Sequence, residues 1–242
     1  MKWFIGIQAA TRSRPLLETT LDSLRKAGWS DFVIFAEPGL RRPRGAGITF
    51  QPATNQLGAY ANWRRMVACA AKFEADRYLL CQDDVVVWSF LKEVLEKEIS
   101  SSGFAVYAPF TTAADHKASK QAHGWFKTDR NYYVSGAWVY AMNRDMIKEL
   151  DSLMPPAVPN NKHIDAQVGL LMSLAGHPLY LHYPSLVSHV GASLSSLGYD
   201  ADSDTRDAKD FIGESVKVAD NSTLLVPETD YAFLQMEENE LG

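Results

Sequence analysis

Short apolar runs alternate along the chain with longer stretches in which apolar residues recur at helical spacing. Runs typical of buried strands occupy 3–9, 32–36, 79–81, 104–108, 132–141 and 179–183. Helical spacing is found in 16–28, 57–73, 90–99, 144–150 and 164–174. This alternation predicts an α/β fold in which helices flank a mostly parallel sheet. Two segments, 40–52 and 111–130, lack a regular pattern and are predicted to be loops.

Length and charge indicate one domain followed by an acidic segment. A chain of 242 residues fits a single core. We place the domain at 1–200 and the acidic segment, which either packs on the domain or trails from it, at 201–242. That segment has eleven acidic and three basic residues, a balance of −8, so residues 1–200 carry +3 of the total of −5. A mildly basic body suits an anionic ligand, although scattered surface charge gives the same balance.

Apolar runs and cysteines bear on localisation. The longest apolar runs are too short to span a bilayer, so no membrane partner is expected. Cys69 and Cys81 both lie in apolar segments, which suits reduced, buried thiols. The sequence therefore predicts a cytoplasmic protein.

Two adjacent carboxylates, Asp83 and Asp84, follow directly on the apolar run 79–81. Open α/β sheets bind ligands at the carboxyl ends of their strands. Neighbouring carboxylates repel each other unless a cation or strong hydrogen-bond donors hold them. Mg²⁺ or Mn²⁺ is the expected counter-charge, and its usual second partner is a phosphate. The alternative is that one aspartate caps a following helix.

Several other kinds of site find no support in the sequence. The chain has no Walker motif, and no Gly-x-Gly-x-x-Gly follows the first predicted strand. No close Cys/His pairs suggest zinc, and no Gly-x-Ser-x-Gly suggests a serine hydrolase. The carboxylate pair and a late histidine remain as the candidate chemistry.

The order of these motifs resembles that of inverting, metal-dependent GT-A fold glycosyltransferases. Gln82-Asp83-Asp84 is similar to their acidic motif, which binds a metal on a nucleotide-sugar diphosphate. The segment 184–191, Pro-Ser-Leu-Val-Ser-His-Val-Gly, resembles the late segment of N-acetylglucosaminyltransferase-like members, in which a histidine completes the metal site. The resemblance covers 3–197 and implies a single Rossmann-like GT-A domain. Gln82 stands where the acidic motif of these enzymes has its first acid, so the resemblance favours Asp84 as the main metal ligand.

The resemblance also implies roles for individual residues. Asp84 and His189 would bind Mn²⁺ or Mg²⁺, and Asp165, at the start of the helix 164–174, would be the catalytic base. Contacts with the nucleotide-sugar donor, expected to be a UDP-sugar, are implied for Thr11, Arg12, Arg14, Glu37, Asn55, Gly58, Asn62, Asp83, Gly136 and Trp138. Gly136 would permit close backbone approach, and Trp138 would stack on a sugar face. Each residue also has a structural alternative as a cap, turn or core residue.

The expected activity is transfer of a sugar to an acceptor hydroxyl with inversion. The acceptor is a saccharide or small molecule, or a hydroxymethylated DNA base of phage type. DNA is suggested by two basic segments, both expected near the ligand-binding edge of the sheet. Their residues are Arg41, Arg42, Arg44, His116, Lys117, Lys120, His123, Lys127 and Arg130, with Trp125 and Phe126 interleaved. The competing functions are a non-catalytic nucleotide-sugar binding protein and a nucleotidyltransferase, which would release pyrophosphate.

Overall fold

The first half of the central sheet consists of parallel strands. They are β1 (Trp3–Ala9), β2 (Phe32–Ala36), β3 (Ile48–Pro52) and β4 (Arg77–Gln82), in the order β3-β2-β1-β4. The computed structural model describes residues 1–11, 16–112, 124–128, 136, 138–157, 164–190, 208 and 210–213. β1 lies between two strands and under helices, so it is buried from Phe4 to Ala9, as its apolar run predicts.

The second half of the sheet mixes strand directions. Its strands are β6 (Val106–Ala108), β7 (Gly124–Lys127), β8 (Val139–Asn143) and β9 (Leu179–Tyr183). β8 runs antiparallel to both β4 and β6, β9 is parallel to β6, and β7 closes the edge antiparallel to β9. Within the described residues the sheet therefore has eight strands, in the order β3-β2-β1-β4-β8-β6-β9-β7.

Helices flank the sheet as predicted. They are α1 (Leu17–Lys26), α2 (Ala59–Lys72), α3 (Leu91–Glu98), α4 (Arg144–Leu153) and α5 (Ile164–Ala175). In α1 the buried Leu17, Leu21 and Leu24 recur at helical spacing. α4 begins where the Asn143 side chain accepts a hydrogen bond from the backbone N–H of Met146. An α/β domain with a large sheet and flanking helices is thus confirmed, and no helix in the described part of the chain is long and apolar enough to cross a membrane.

Two segments predicted to be loops contain strands. The segment 40–52 ends in β3, and 111–130 contains β7; both lie at edges of the sheet. Edge strands are short and only half buried, so they lack the apolar run that reveals a central strand. Arginines assist β3, because Arg42 donates to the Ile48 carbonyl at 3.1 Å and Arg65 donates to the Gln51 carbonyl at 2.7 Å.

Part of the acidic segment contacts the domain. The backbone N–H of Ile212 donates to the Ser185 carbonyl at 3.1 Å, and Ala208 forms a bridge with Thr112. The Tyr183 hydroxyl donates to Asp210 at 2.6 Å. Because this hydrogen bond stabilises the neutral phenol, it raises the pKa of Tyr183 to about 12, with burial as a second cause. Ala208, Asp210 and Ile212 therefore contact the domain, and the boundary at residue 200 stays a prediction.

Candidate functional site

Asp83 and Asp84 occupy the turn between β4 and β5 (Val85–Val87). The parallel strands β1, β2 and β4 end along one side of the sheet, which we call the carboxyl edge. From β1 the chain winds outward through β2 and β3 and then returns to β4 on the other side of β1. Such a reversal opens a crevice where α/β sheets bind ligands. Both aspartates lie beside this crevice, and each is only 2% exposed.

A two-stranded ladder brings His189 to Asp84. β10 (Val187–His189) pairs antiparallel with β5, so that His189 lies opposite Val85. The backbone N–H of Val190 donates to the Asp84 carbonyl at 2.9 Å. As a result, Nε2 of His189 lies 3.0 Å from Oδ2 of Asp84, although 105 residues separate them in the chain. The two residues singled out as metal ligands are neighbours in the structure.

Asp83 has a different contact from Asp84. Its Oδ2 accepts a hydrogen bond from the backbone N–H of Ala10, at 3.1 Å, in the segment that follows β1. The next residue, Thr11, is exposed, and its hydroxyl donates to the Pro38 carbonyl at 2.9 Å. The ends of β1, β2 and β4 are thus joined across the crevice. Arg12 and Arg14, predicted to contact the donor, lie outside the described residues.

Glu37 shapes the segment that leads into α2. Its two carboxylate oxygens accept hydrogen bonds from the backbone N–H groups of Leu57 and Gly58, both at 2.9 Å. A carboxylate at this position also complements the positive end of the helix dipole. Gly58 has a φ of +81°, which favours glycine. The contacts of Glu37 with the backbone agree with its structural alternative, and its predicted contact with the nucleotide stays a prediction.

The remaining residues predicted on α2 and before it differ in burial. Asn62 is fully buried and donates to the Phe35 carbonyl at 2.9 Å, so it joins α2 to β2 as a core residue. Asn55 is exposed. Gln8 was not singled out by the sequence, yet its amide donates to the Ala59 carbonyl at 2.7 Å. A polar amide at the end of an apolar strand was the available signal.

Asp165 lies in the first turn of α5 and contacts the segment before β8. Its Oδ2 accepts a hydrogen bond from the backbone N–H of Gly136 at 3.0 Å, and its Oδ1 accepts one from the N–H of Ala166 at 2.9 Å. Two residues after Gly136, the ring of Trp138 stacks on His189 with centroids 5.2 Å apart. The predicted base is therefore linked to the predicted metal ligand through Gly136 and Trp138.

Trp138 is almost fully buried, and its predicted contact with a sugar stays a prediction. Its indole is 3% exposed and packs against His189 and Phe110. Two protein rings thus pack against the indole that was expected to receive a sugar. Phe110 was missed because it directly precedes a segment without apolar pattern, so nothing in the sequence paired it with Trp138.

Gly136 is required by both its backbone and its neighbour. Its φ is +104°, and a Cβ would come within 2.5 Å of Nε1 of Trp138. We expect Gly136→Ala to lower the free energy of unfolding by about 1–3 kcal/mol or more, because the backbone strain adds to the clash. Urea denaturation measures this. Gly103→Ala is the matched control, since Gly103 has a φ of +92° and open space around it. An equal loss in both variants would contradict a clash with Trp138.

The donor atoms at Asp84 and His189 fit a divalent cation that also binds phosphate. No group of three His, Cys, Asp or Glu side chains in the described ranges forms a complete metal site. Mg²⁺ and related ions are usually held by one or two carboxylates together with substrate phosphates. An imidazole beside a carboxylate suits Mn²⁺. Cys81 lies nearby, but burial, with Asp83 and Asp84 as further causes, raises the pKa of its thiol, so it is not an available thiolate.

The described basic residues of the first basic segment do not lie at the carboxyl edge. Arg42 donates to Ile48 at the start of β3, and Arg44 lines a cavity of about 460 Å³ with Arg25 and Trp29. These positions lie at the amino ends of β2 and β3, on the side of the sheet opposite the carboxyl edge. The prediction is therefore wrong for Arg42 and Arg44, because the connection between β2 and β3 runs from the carboxyl end of β2 back to the amino end of β3. Lys127 is exposed on β7. His116, Lys117, Lys120, His123 and Arg130 lie outside the described residues.

Comparison with known proteins gives a likeness in fold. No protein-family model matches the chain, and no curated protein matches it either. A crystal structure of GalNAc-T7 with UDP, GalNAc and Mn²⁺ matches with a TM-score of 0.52 and 10% identity, over 77% of this chain and 43% of that one. HddC from Yersinia pseudotuberculosis matches with a TM-score of 0.48 and 10% identity, over 79% and 94%.

A third structure, CMP:2-keto-3-deoxy-manno-octonic acid synthetase complexed with CTP, matches with a TM-score of 0.44 and 17% identity, over 75% of this chain and 89% of that one. At 10% identity, the likeness to GalNAc-T7 concerns the fold alone. Together with the observed sheet, it confirms the predicted GT-A-like fold class.

Proposed function

We propose that the protein is a metal-dependent glycosyltransferase. It transfers a sugar from a nucleotide-sugar, expected to be a UDP-sugar, to an acceptor hydroxyl with inversion. The observation that carries this proposal is the pair of buried Asp84 and half-buried His189, 3.0 Å apart at the carboxyl edge of a GT-A-like sheet. The crystal structure of GalNAc-T7, which shares this fold, contains UDP, GalNAc and Mn²⁺.

Asp84 and His189 would hold Mn²⁺ or Mg²⁺. Bound there, the ion would act as a Lewis acid and neutralise charge on the leaving diphosphate. The side chain of Asp84 is 3% exposed and that of His189 is 13% exposed, so water screens the charge of the carboxylate and the dipole of the imidazole only weakly. Arg12 and Arg14 are proposed to contact the diphosphate, because guanidinium groups bind phosphate oxygens in pairs.

Asp83 and Glu37 would shape the nucleotide crevice by fixing the backbone of the two segments that line it. Asp83 holds the segment after β1 through Ala10, and Glu37 holds the segment before α2 through Leu57 and Gly58. Thr11 joins that first segment to Pro38 beyond β2. A crevice whose walls are fixed before the donor binds loses less conformational entropy on binding.

Asp165 would act as the base. Each of its carboxylate oxygens accepts one backbone hydrogen bond and keeps a further lone pair, so the carboxylate is oriented and can still accept a proton. The acceptor hydroxyl gives its proton to Asp165 while its oxygen bonds to the anomeric carbon. The bond from that carbon to the diphosphate breaks, and the nucleoside diphosphate leaves with the electron pair.

The product that is released tests this proposal. The protein is incubated with a panel of UDP-, GDP- and CMP-sugars in Mn²⁺, in Mg²⁺ or in EDTA, and the released nucleotide is measured. We expect release of UDP that depends on metal. Parallel reactions contain nucleoside triphosphates and sugar 1-phosphates. Pyrophosphate without UDP would establish a nucleotidyltransferase instead, and donor binding without either product would establish a non-catalytic binding protein.

The acceptor is proposed to be a saccharide or another small hydroxyl compound. The DNA alternative depended on basic residues at the carboxyl edge, and Arg42 and Arg44 lie at the opposite edge. Labelled sugar is offered to free saccharides, to unmodified duplex and to duplex that contains hydroxymethylcytosine or hydroxymethyluracil. We expect transfer to saccharides. Salt-sensitive transfer to modified duplex alone would contradict this choice and favour DNA.

A further inference from the structure

The indole ring of Trp138 lies nearly flat against the imidazole ring of His189. The ring centroids are 5.2 Å apart and the planes differ by 16°. The ring of Phe110 also packs on the indole, with centroids 4.5 Å apart and an angle of 32°. Phe110 is fully buried and Trp138 nearly so. The His189 ring therefore rests on an aromatic layer that is itself enclosed by the core.

This stacking is important because Nδ1 of His189 lacks a hydrogen-bond partner among the described residues. A histidine that binds a metal usually donates its other ring N–H to a carboxylate or carbonyl, and this hydrogen bond fixes the rotation of the ring. Nε2 of His189 faces Asp84, whereas Nδ1 is buried and has no hydrogen-bond partner among the described residues. Among those residues, the parallel contact with the Trp138 ring is thus what restricts rotation of the imidazole besides the contact of Nε2 with Asp84.

Trp138 is itself fixed relative to the carboxylate pair. Its carbonyl accepts a hydrogen bond of 3.0 Å from the backbone N–H of Gln82, the residue directly before Asp83. Its ring packs where Gly136 has no Cβ. A ring anchored in this way can set the plane of His189 with respect to Asp84.

We propose that Trp138 is a positioning residue that holds the His189 imidazole in the orientation in which it binds a divalent cation together with Asp84. This inference rests on the proposed function, because it requires that Asp84 and His189 bind the cation. Packing against Trp138 takes the place of the hydrogen bond that orients the histidine in other metal sites. In this role Trp138 acts through His189 and not through the donor sugar.

Binding of Mn²⁺ in the presence of UDP, followed by the electron paramagnetic resonance signal of the free ion, tests this role. We expect Trp138→Leu to raise the Kd for Mn²⁺ about tenfold or more, as loss of an orienting partner does elsewhere. Trp138→Phe keeps an aromatic face and should bind close to wild type. Trp29→Leu is the matched control, because Trp29 is 4% exposed and packs edge-on against Trp3 near the opposite edge.

The outcomes separate this inference from the proposed function. A folded Trp138→Leu protein with wild-type Mn²⁺ affinity would overturn the positioning role and leave the metal site standing. An equal loss in Trp29→Leu would also overturn it, by indicating a general effect of a lost core ring. If wild-type protein bound no Mn²⁺, the metal site of the proposed function would fail first.

A second measurement needs no metal and covers the case in which Trp138→Leu does not fold. In histidine-labelled, metal-free protein, the ring protons of His189 should be shifted upfield by the indole ring current. The signal is assigned by its loss in His189→Gln. Trp138→Phe should move it downfield, because a phenyl ring has the weaker ring current. An unchanged signal would contradict the stacking and therefore the inference.

Discussion

Asp84→Asn is expected to lower the rate of sugar transfer by on the order of 10³-fold and to abolish metal-dependent binding of UDP. The amide keeps the size of the carboxylate and can still accept a hydrogen bond from His189, so the fold should be preserved. What it loses is the negative charge that would hold the cation, in a place where burial keeps that charge unscreened. Transfer is measured with saturating donor, and UDP binding by calorimetry with and without Mn²⁺.

Two further variants make this result specific. Asp76→Asn removes a carboxylate just before the other end of β4, where Asp76 accepts a hydrogen bond from the N–H of Lys2, and should leave transfer and binding unchanged. Asp83→Asn removes the adjacent charge but keeps an acceptor for Ala10. Metal-dependent UDP binding should survive in Asp83→Asn and disappear in Asp84→Asn. The opposite result would make Asp83 the ligand, and undiminished binding in both would refute the metal site.

Asp165→Asn is expected to lower kcat by about 10²–10⁴-fold, the usual contribution of a general base, with little change in donor affinity. Asparagine keeps an oxygen that can accept the Gly136 hydrogen bond, and it is well tolerated near the start of a helix. The variant should therefore fold normally and bind UDP and Mn²⁺. Single-turnover kinetics with saturating donor isolate the chemical step.

Asp145→Asn provides the matched control, because Asp145 also lies in the first turn of a helix, α4, and is exposed. Its activity should equal that of wild type. A loss of donor binding in Asp165→Asn would place Asp165 in the nucleotide or metal site. Normal kcat would remove it from the mechanism, while the metal site and the crevice would still stand.

The interior of the fold was predictable because burial on both faces leaves a clear pattern. β1, β2 and β9 match their predicted bounds residue for residue, and the five helices lie where apolar spacing placed them. β3 and β7 were not predicted, since an edge strand needs only one apolar face and one hydrogen-bonded neighbour. Arg42, which lies in the segment predicted to be a loop, and Arg65, which lies on α2, donate to carbonyls of β3.

The candidate site was predictable only where residues of a suitable chemical type directly follow a predicted strand or belong to a recognisable motif. Two carboxylates after a buried strand mark the carboxyl edge, and the resemblance supplied His189. Side-chain partners were not predictable, because they depend on contacts between distant parts of the chain. Nothing local indicates that Glu37 accepts hydrogen bonds from the segment before α2, or that Trp138 packs on His189.

The pairing of β5 with β10 has a consequence for folding. Asp84 and His189 are 105 residues apart, so closing the loop between them carries a large entropic cost, and contacts of this range form slowly. β10 follows the strands of the central sheet in the chain, so during synthesis the proposed cation site is incomplete until β10 has also been made. Mn²⁺ binding by the two residues would thus report that β10 has docked, and refolding followed by metal binding should lag behind refolding followed by the helix signal.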